Sequence, residues 1–155
     1  MPRFLLFLLC CALPATDALA DAPIFEIDRT QLPFDLSPGA PANSPARQTN
    51  SPSAAANSAA SPANSSSAYE NSPRNPANEK RVIFDANGDV LGYYVQNASG
   101  TLNLFDLNGK RIAYRPRGTK SVFSNAGEWC GTVAGGQSGG LSFGVTRSCL
   151  AAFYR

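Results

Sequence analysis

The stretch from Gly136 to Gly140 reads GQSGG, a G-x-S-x-G pattern of the kind that surrounds the nucleophilic serine of many hydrolases. Such a serine depends on a histidine base, and the chain contains no histidine. A glycine-rich loop explains the same residues more simply. We therefore do not expect Ser138 to be catalytic.

A second candidate for chemistry is the run Asp85, Asn87 and Asp89, because oxygen ligands at alternate positions suit Ca²⁺. In this run the glycine position of an EF-hand is taken by Val90. Residues 81–155 contain only four acidic side chains, too few to suggest the paired carboxylates of a glycosidase. We expect no enzymatic activity, no metal and no cofactor.

Export is predicted from residues 1–20, which combine a basic Arg3, an apolar run over 4–13 and an Ala-Leu-Ala cleavage sequence at 18–20. The apolar run is too short to cross a bilayer. We expect a signal peptide, a mature chain without a transmembrane segment, and a periplasmic or secreted protein. Its two remaining cysteines, Cys130 and Cys149, are predicted to form a disulfide that contributes about 3 kcal/mol.

Positive charge is concentrated in residues 81–155, which carry eight bases and four acids, a net charge of +4. The predicted binding residues lie within eleven positions of one another: Lys110, Arg111, Tyr114, Arg115, Arg117 and Lys120. Because export makes nucleic acid an improbable partner, an anionic envelope polymer or surface, or an unknown protein, is expected. The alternative is a solvated basic edge that prevents sheet aggregation.

The first of the segments that would position these residues is an apolar and acidic arm at 21–39. The arm is predicted either to add a strand to the domain or to dock on a partner; the alternative is an irregular arm that lies on the domain. Residues 40–80 are almost entirely Ser, Pro, Ala and Asn, so they are predicted to form a disordered linker with an end-to-end distance of roughly 35 Å.

Residues 81–155 contain a repeat: FDANGDVLGYY begins at Phe84, and FDLNGKRIAYR begins 21 residues later at Phe105. Asp caps a tight turn and Gly accepts positive φ, so each copy predicts a β-hairpin. The predicted turn residues are Asp85, Asn87, Gly88, Asp106, Asn108, Gly109 and, in a weaker third copy, Gly127. A fourth copy is laid on Phe143 to Phe153.

The repeats predict an all-β domain, a small meander of three to four hairpins around a pseudo-symmetry axis, preceded by the linker. The pattern F-D-x-N-G-x-x-[LI]-[GA]-Y resembles the four-fold β-flower domain of bacterial proteins over residues 81–155. That resemblance implies hairpin petals around an axis and no activity. We expect an exported, non-enzymatic binding module for an envelope or extracellular partner. The alternative is a structural or assembly protein that docks through its N-terminal arm.

Overall fold

The computed structural model describes residues 21–79, 81–135 and 140–154, so the predicted signal peptide and Ser138 lie outside the described residues. Eight strands close into a barrel in chain order. They are β1 (Ala22–Glu26), β2 (Val82–Phe84), β3 (Val90–Gln96), β4 (Leu102–Asp106), β5 (Arg111–Arg115), β6 (Ser121–Ser124), β7 (Trp129–Gly135) and β8 (Leu141–Val145). The all-β prediction is confirmed.

Three antiparallel hairpins repeat around the barrel: β2–β3, β4–β5 and β6–β7. Each has a register shift at the equivalent step, after Ile83, Leu104 and Val122 respectively. In the first two, the Asp side chain caps the turn. Asp85 Oδ1 accepts hydrogen bonds from the backbone N–H groups two and four residues on, and Asp106 Oδ1 does the same. The hairpin geometry expected of these turn residues is therefore observed.

The fourth hairpin differs from the repeat pattern. Residues after β8 form a short helix α1 (Arg147–Ala151) and a 3₁₀ turn at Ala152–Tyr154, so the last repeat has no returning strand. The N-terminal strand β1 takes that place and pairs in parallel with both β8 and β2. Ala22 and Ile24 of β1 are buried in the core. Of the two roles predicted for the arm, the structure shows the added strand.

The disulfide between Cys130 and Cys149 joins β7 to helix α1, with 5.7 Å between the two Cα atoms. This confirms the predicted pairing. Phe153, just beyond the helix, packs into the core. The C-terminal segment therefore covers the barrel instead of completing it.

Residues 34–78 form a coil that repeats every seven residues, which we call the repeat coil. A 3₁₀ turn recurs at Phe34–Leu36, Pro41–Asn43, Gln48–Asn50, Pro62–Asn64, Tyr69–Asn71 and Pro76–Asn78; an additional 3₁₀ turn precedes the coil at Arg29–Gln31. The structure thus differs from the disordered linker predicted for this region. Composition alone suggested too little apolar surface to fold, but the coil is held by a different kind of contact.

Buried asparagines supply that contact, one every seven residues: Asn43, Asn50, Asn57, Asn64, Asn71 and Asn78. Each side-chain amide donates to the carbonyls eight and six residues earlier, at 2.8–3.3 Å. Both N–H donors of every amide are satisfied, which removes most of the cost of burying it. We call this series the asparagine ladder.

Candidate functional site

The repeat coil is the crossover between two adjacent parallel strands, β1 and β2. Parallel neighbours need a long connection, which is usually an α-helix. Here the coil crosses the outer face of the barrel from β6 towards β3, since Asn43 contacts Thr119 just before β6 and Asn71 contacts Tyr93 of β3. The coil and the barrel therefore pack against each other along this face.

Polar side chains of the barrel form direct hydrogen bonds with the coil. Asn97 and Asn103 donate to Asn64 Oδ1 at 2.7 and 2.9 Å, and the Thr101 hydroxyl donates to Asn57 Oδ1 at 3.1 Å. The ladder uses the N–H donors of each asparagine amide. The side-chain oxygens of Asn57 and Asn64 therefore accept hydrogen bonds from the barrel and dock the coil. The interface is specific because each contact depends on the seven-residue phase.

Arg111 and Tyr114, two of the predicted binding residues, lie beneath the coil. Arg111 is only 7% exposed. Its Nη1 donates to the Asn57 carbonyl at 2.8 Å, and its guanidinium lies 4.6 Å from the centroid of the Tyr114 ring. The Tyr114 hydroxyl donates to the Asn50 carbonyl at 2.8 Å. With the coil docked, neither residue can touch an external partner, which corrects that part of the prediction.

Burial perturbs both groups. Desolvation lowers the pKa of Arg111 to about 10, so the guanidinium is still charged at neutral pH. Desolvation raises the pKa of Tyr114 to about 12, with the nearby Arg111 charge opposing that shift. Within the described residues, Nε and Nη2 of Arg111 have no hydrogen-bond partner. The cation is stabilised by one carbonyl and one aromatic face.

The other predicted basic residues do not form one patch. Lys110 precedes β5 and Arg117 follows it, so the length of the strand, about 17 Å, separates them. Both are exposed. Arg115 is half-buried, and desolvation lowers its pKa. Lys120 forms an ion pair with Asp35 at 3.0 Å.

The Lys120–Asp35 ion pair joins the two stretches that the sequence proposed as separate binding elements. Asp35 belongs to the N-terminal arm and Lys120 to the basic stretch. Beside them lies a groove of about 340 Å³, which we call the arm groove, lined by Phe34, Asp35, Pro41, Ala42, Gly118 and Lys120. The Phe34 ring is 69% exposed. An aromatic ring, an anion and a cation therefore meet at one concave surface.

A second groove, of about 380 Å³, lies further along the coil and is lined by Ala63, Ala68, Glu70, Gln96, Asn97 and Ala98. We call it the Glu70 groove. Its barrel side is the connection between β3 and β4, whereas the barrel side of the arm groove is the connection between β5 and β6. In an antiparallel meander both connections lie at the same end, which we call the loop end.

The predicted turn glycines lie at the opposite end and have a second role there. Gly109 has φ of +79°, and a Cβ on it would lie 3.1 Å from Cβ of Ser66 in the coil. A Cβ on Gly127 would lie 2.8 Å from Cδ of Pro52. These glycines therefore let the hairpin turns approach the coil.

Sequence reasoning did not identify the asparagine ladder or the two grooves. The signal for the ladder was present, because an Asn recurs every seven residues from Asn43 to Asn78, and Ser follows it in five of the six turns. The grooves depend on the docking of the coil and leave no local pattern. In the sequence, Phe34 is one of several apolar residues of the arm and carries no signal of its own.

No family model, curated protein or solved structure matches the chain. No helix in the described part of the chain is long and apolar enough to cross a membrane. Within residues 21–79, 81–135 and 140–154, no three His, Cys, Asp or Glu side chains lie close enough together to hold a metal ion.

Proposed function

We propose that the protein is an exported, non-enzymatic binding module that holds a partner in the cell envelope or outside the cell. The observation that carries this proposal is the arm groove. It presents the Phe34 ring beside the Asp35 carboxylate and the Lys120 ammonium on a concave surface. Concave sites with an apolar lining and a few fixed polar groups are typical of ligand binding.

The coil gives this groove a rigid wall. Asn43 Oδ1 accepts hydrogen bonds from the Thr119 hydroxyl at 2.9 Å and from the Lys120 backbone N–H at 3.2 Å. The first turns of the coil are thereby fixed to the loop that carries Lys120. Little ordering is required on binding, which favours affinity.

A role in assembly through the N-terminal arm is the second candidate. Phe25 of β1 supports it, because this ring is 45% exposed while its neighbour Ile24 is buried in the barrel. The surface available to an assembly partner is then the outer side of β1. Phe25→Ala tests this candidate separately from the groove.

The function is tested by binding of the purified protein to isolated envelope fractions across a salt series. Phe34→Ala and Lys120→Gln are expected to weaken binding. The matched control Leu107→Ala, which removes an equally exposed apolar side chain at the other end, should leave it unchanged. Weaker binding at high salt would show that charge contributes to recognition of the partner. Binding by both groove variants at the wild-type level would contradict the proposal.

A further inference from the structure

The arm groove and the Glu70 groove use four equivalent coil positions, four coil turns apart. A shift of 28 residues places Asp35 on Ala63, Ala40 on Ala68, Ala42 on Glu70 and Asn43 on Asn71. All eight of these residues line one of the two grooves. Two concave sites that share one repeating wall are thus presented in line along the coil.

The barrel supplies the opposite walls from equivalent connections. Gly118 and Lys120 come from the connection after one hairpin, and residues 96–98 come from the connection after the preceding hairpin. Both grooves therefore open at the loop end of the barrel. The groove occurs twice because the coil repeats on one side of it and the hairpins repeat on the other.

The coil continues from one groove to the other through the turns between them. In the three intervening turns the positions equivalent to Ala42 and Glu70 are Thr49, Ala56 and Ala63, which are small and exposed, and the position equivalent to Ala40 and Ala68 is Arg47 in the first of them. Four turns of the coil separate the equivalent positions of the two grooves. A single extended chain can reach from one groove to the other, and a ligand that fills one groove cannot.

The groove chemistry selects among extended chains. The walls of both grooves include Ala methyl groups, and each groove contains one carboxylate, Asp35 or Glu70. Carboxylates accept hydrogen bonds, and the amides of Gln96 and Asn97 both donate and accept. An N-acetylated sugar offers a methyl group for the apolar wall, an amide N–H for the carboxylate and hydroxyls for the amides.

Charge disfavours an acidic polymer at the second groove. Glu70 forms no ion pair within the described residues, so nothing there offsets its repulsion of an anion. At the arm groove the Lys120 charge is already paired with Asp35. A neutral chain meets neither penalty.

We propose that the two grooves bind one linear, neutral polysaccharide of N-acetylated sugars, which lies along the coil and occupies both. The inference rests on the proposed function and names its partner. Because two linked sites act together, the affinity for a chain that spans both exceeds that for a short chain by about a hundredfold or more.

The test measures binding of chitin oligosaccharides to the full protein by calorimetry, with one length that fills a single groove and one that reaches both. Ala42→Trp fills the arm groove and Ala63→Trp fills the Glu70 groove. Ala46→Trp is the matched control, since Ala46 is exposed on the same coil and lines neither groove. Cello-oligosaccharides of the same lengths, which lack acetyl groups, are the comparison ligands.

We expect each single groove variant to weaken long-chain binding by about a hundredfold or more, the double variant to abolish it, and Ala46→Trp to leave it unchanged. Cello-oligosaccharides should bind more weakly than chitin oligosaccharides. Equal affinity for long and short chains, or long-chain binding by the double variant, would overturn the inference. If chitin chains fail to bind while envelope fractions still bind through Phe34, the polysaccharide is wrong and the binding function stands.

Discussion

The Asn57 backbone carbonyl accepts a hydrogen bond from Arg111 Nη1 at 2.8 Å, which ties the middle of the repeat coil to strand β5. The two residues are 54 positions apart in the chain. The guanidinium also covers the Tyr114 ring, whose hydroxyl bonds to the preceding turn of the coil at Asn50. One buried cation therefore organises contacts to two turns.

Arg111→Lys should destabilise the protein more than Arg111→Met. Met removes the buried charge and keeps the apolar volume, so its main cost is the unpaired Asn57 carbonyl, about 1 kcal/mol. Lys keeps a strongly hydrated charge and loses the planar contact with Tyr114, for about 2–3 kcal/mol. Denaturant unfolding of the three proteins checks this order, and the reverse order would show that the ring contact contributes little.

Asn64 provides a direct test of the asparagine ladder. Its amide donates to the carbonyls of Ala56 and Ser58, both at 2.9 Å. Asn64→Asp keeps the accepting oxygen and replaces the two donors with a carboxylate that faces those carbonyls. We expect a loss of about 2–3 kcal/mol in the free energy of unfolding. Asn75→Ala, which removes an Asn outside the ladder, should cost about 1 kcal/mol or less; an equal loss in both variants would argue against the ladder.

A composition-preserving change separates an ordered coil from a flexible linker. Exchanging Ala63 and Asn64 leaves the composition intact but moves the amide out of the buried position. In a flexible linker, this exchange of residues would change neither hydrogen–deuterium exchange nor proteolysis. We expect the exchange to expose residues 58–71 to hydrogen–deuterium exchange and to proteolysis. Replacing 58–64 with the sequence of 51–57, which keeps the phase, should leave protection at the wild-type level.

These residues show which structural features could be predicted from the sequence and which could not. The hairpins were predictable because Asp85 and Asp106 act within their own turns, through bonds that span two and four residues. The contact between Arg111 and Asn57 left no local signal, so charge alone placed Arg111 on the surface. Compositional reasoning also treats polar tracts as unable to fold, and it missed that amide-to-carbonyl bonds at a fixed period can replace an apolar core.

Removing the disulfide tests the role of the C-terminal segment. Cys130→Ser with Cys149→Ser should lower the free energy of unfolding by about 3 kcal/mol, because the closed loop no longer restricts the unfolded chain. The hydrogen bond from Tyr154 to Asp85 at 2.9 Å should weaken as the helix detaches. Thermal unfolding of the variant and of the reduced wild type should agree; unchanged stability would show that core packing of Phe153 suffices.

Alkaline pH should loosen the docked coil. Desolvation raises the pKa of Tyr93 and Tyr114 to about 12 in the folded protein, above the ordinary value of 10.0. The folded state then holds these protons more tightly, so their contribution is complete below pH 10 and is lost as pH rises to about 12. Arg111 acts in the opposite sense over this range, since its pKa is lowered to about 10.

Two tyrosines outweigh one arginine, so the free energy of unfolding should fall between pH 10 and 12. Tyr93→Phe with Tyr114→Phe should reduce the fall while lowering stability at neutral pH, because the carbonyls of Asn71 and Asn50 lose their donors. Denaturant unfolding across this range is the measurement. An equal decline in the double variant would place the alkaline sensitivity elsewhere.

The asparagine ladder has a consequence for temperature. The barrel core, built around side chains such as Tyr94 and Phe143, is stabilised by burial of apolar surface, and that contribution weakens on cooling. The coil buries amides and backbone with little apolar surface, and exposing polar groups lowers the heat capacity where exposing apolar groups raises it. The two layers of the molecule therefore have stability curves of different curvature. On cooling, the coil therefore loses less of its stabilising free energy than the barrel core does.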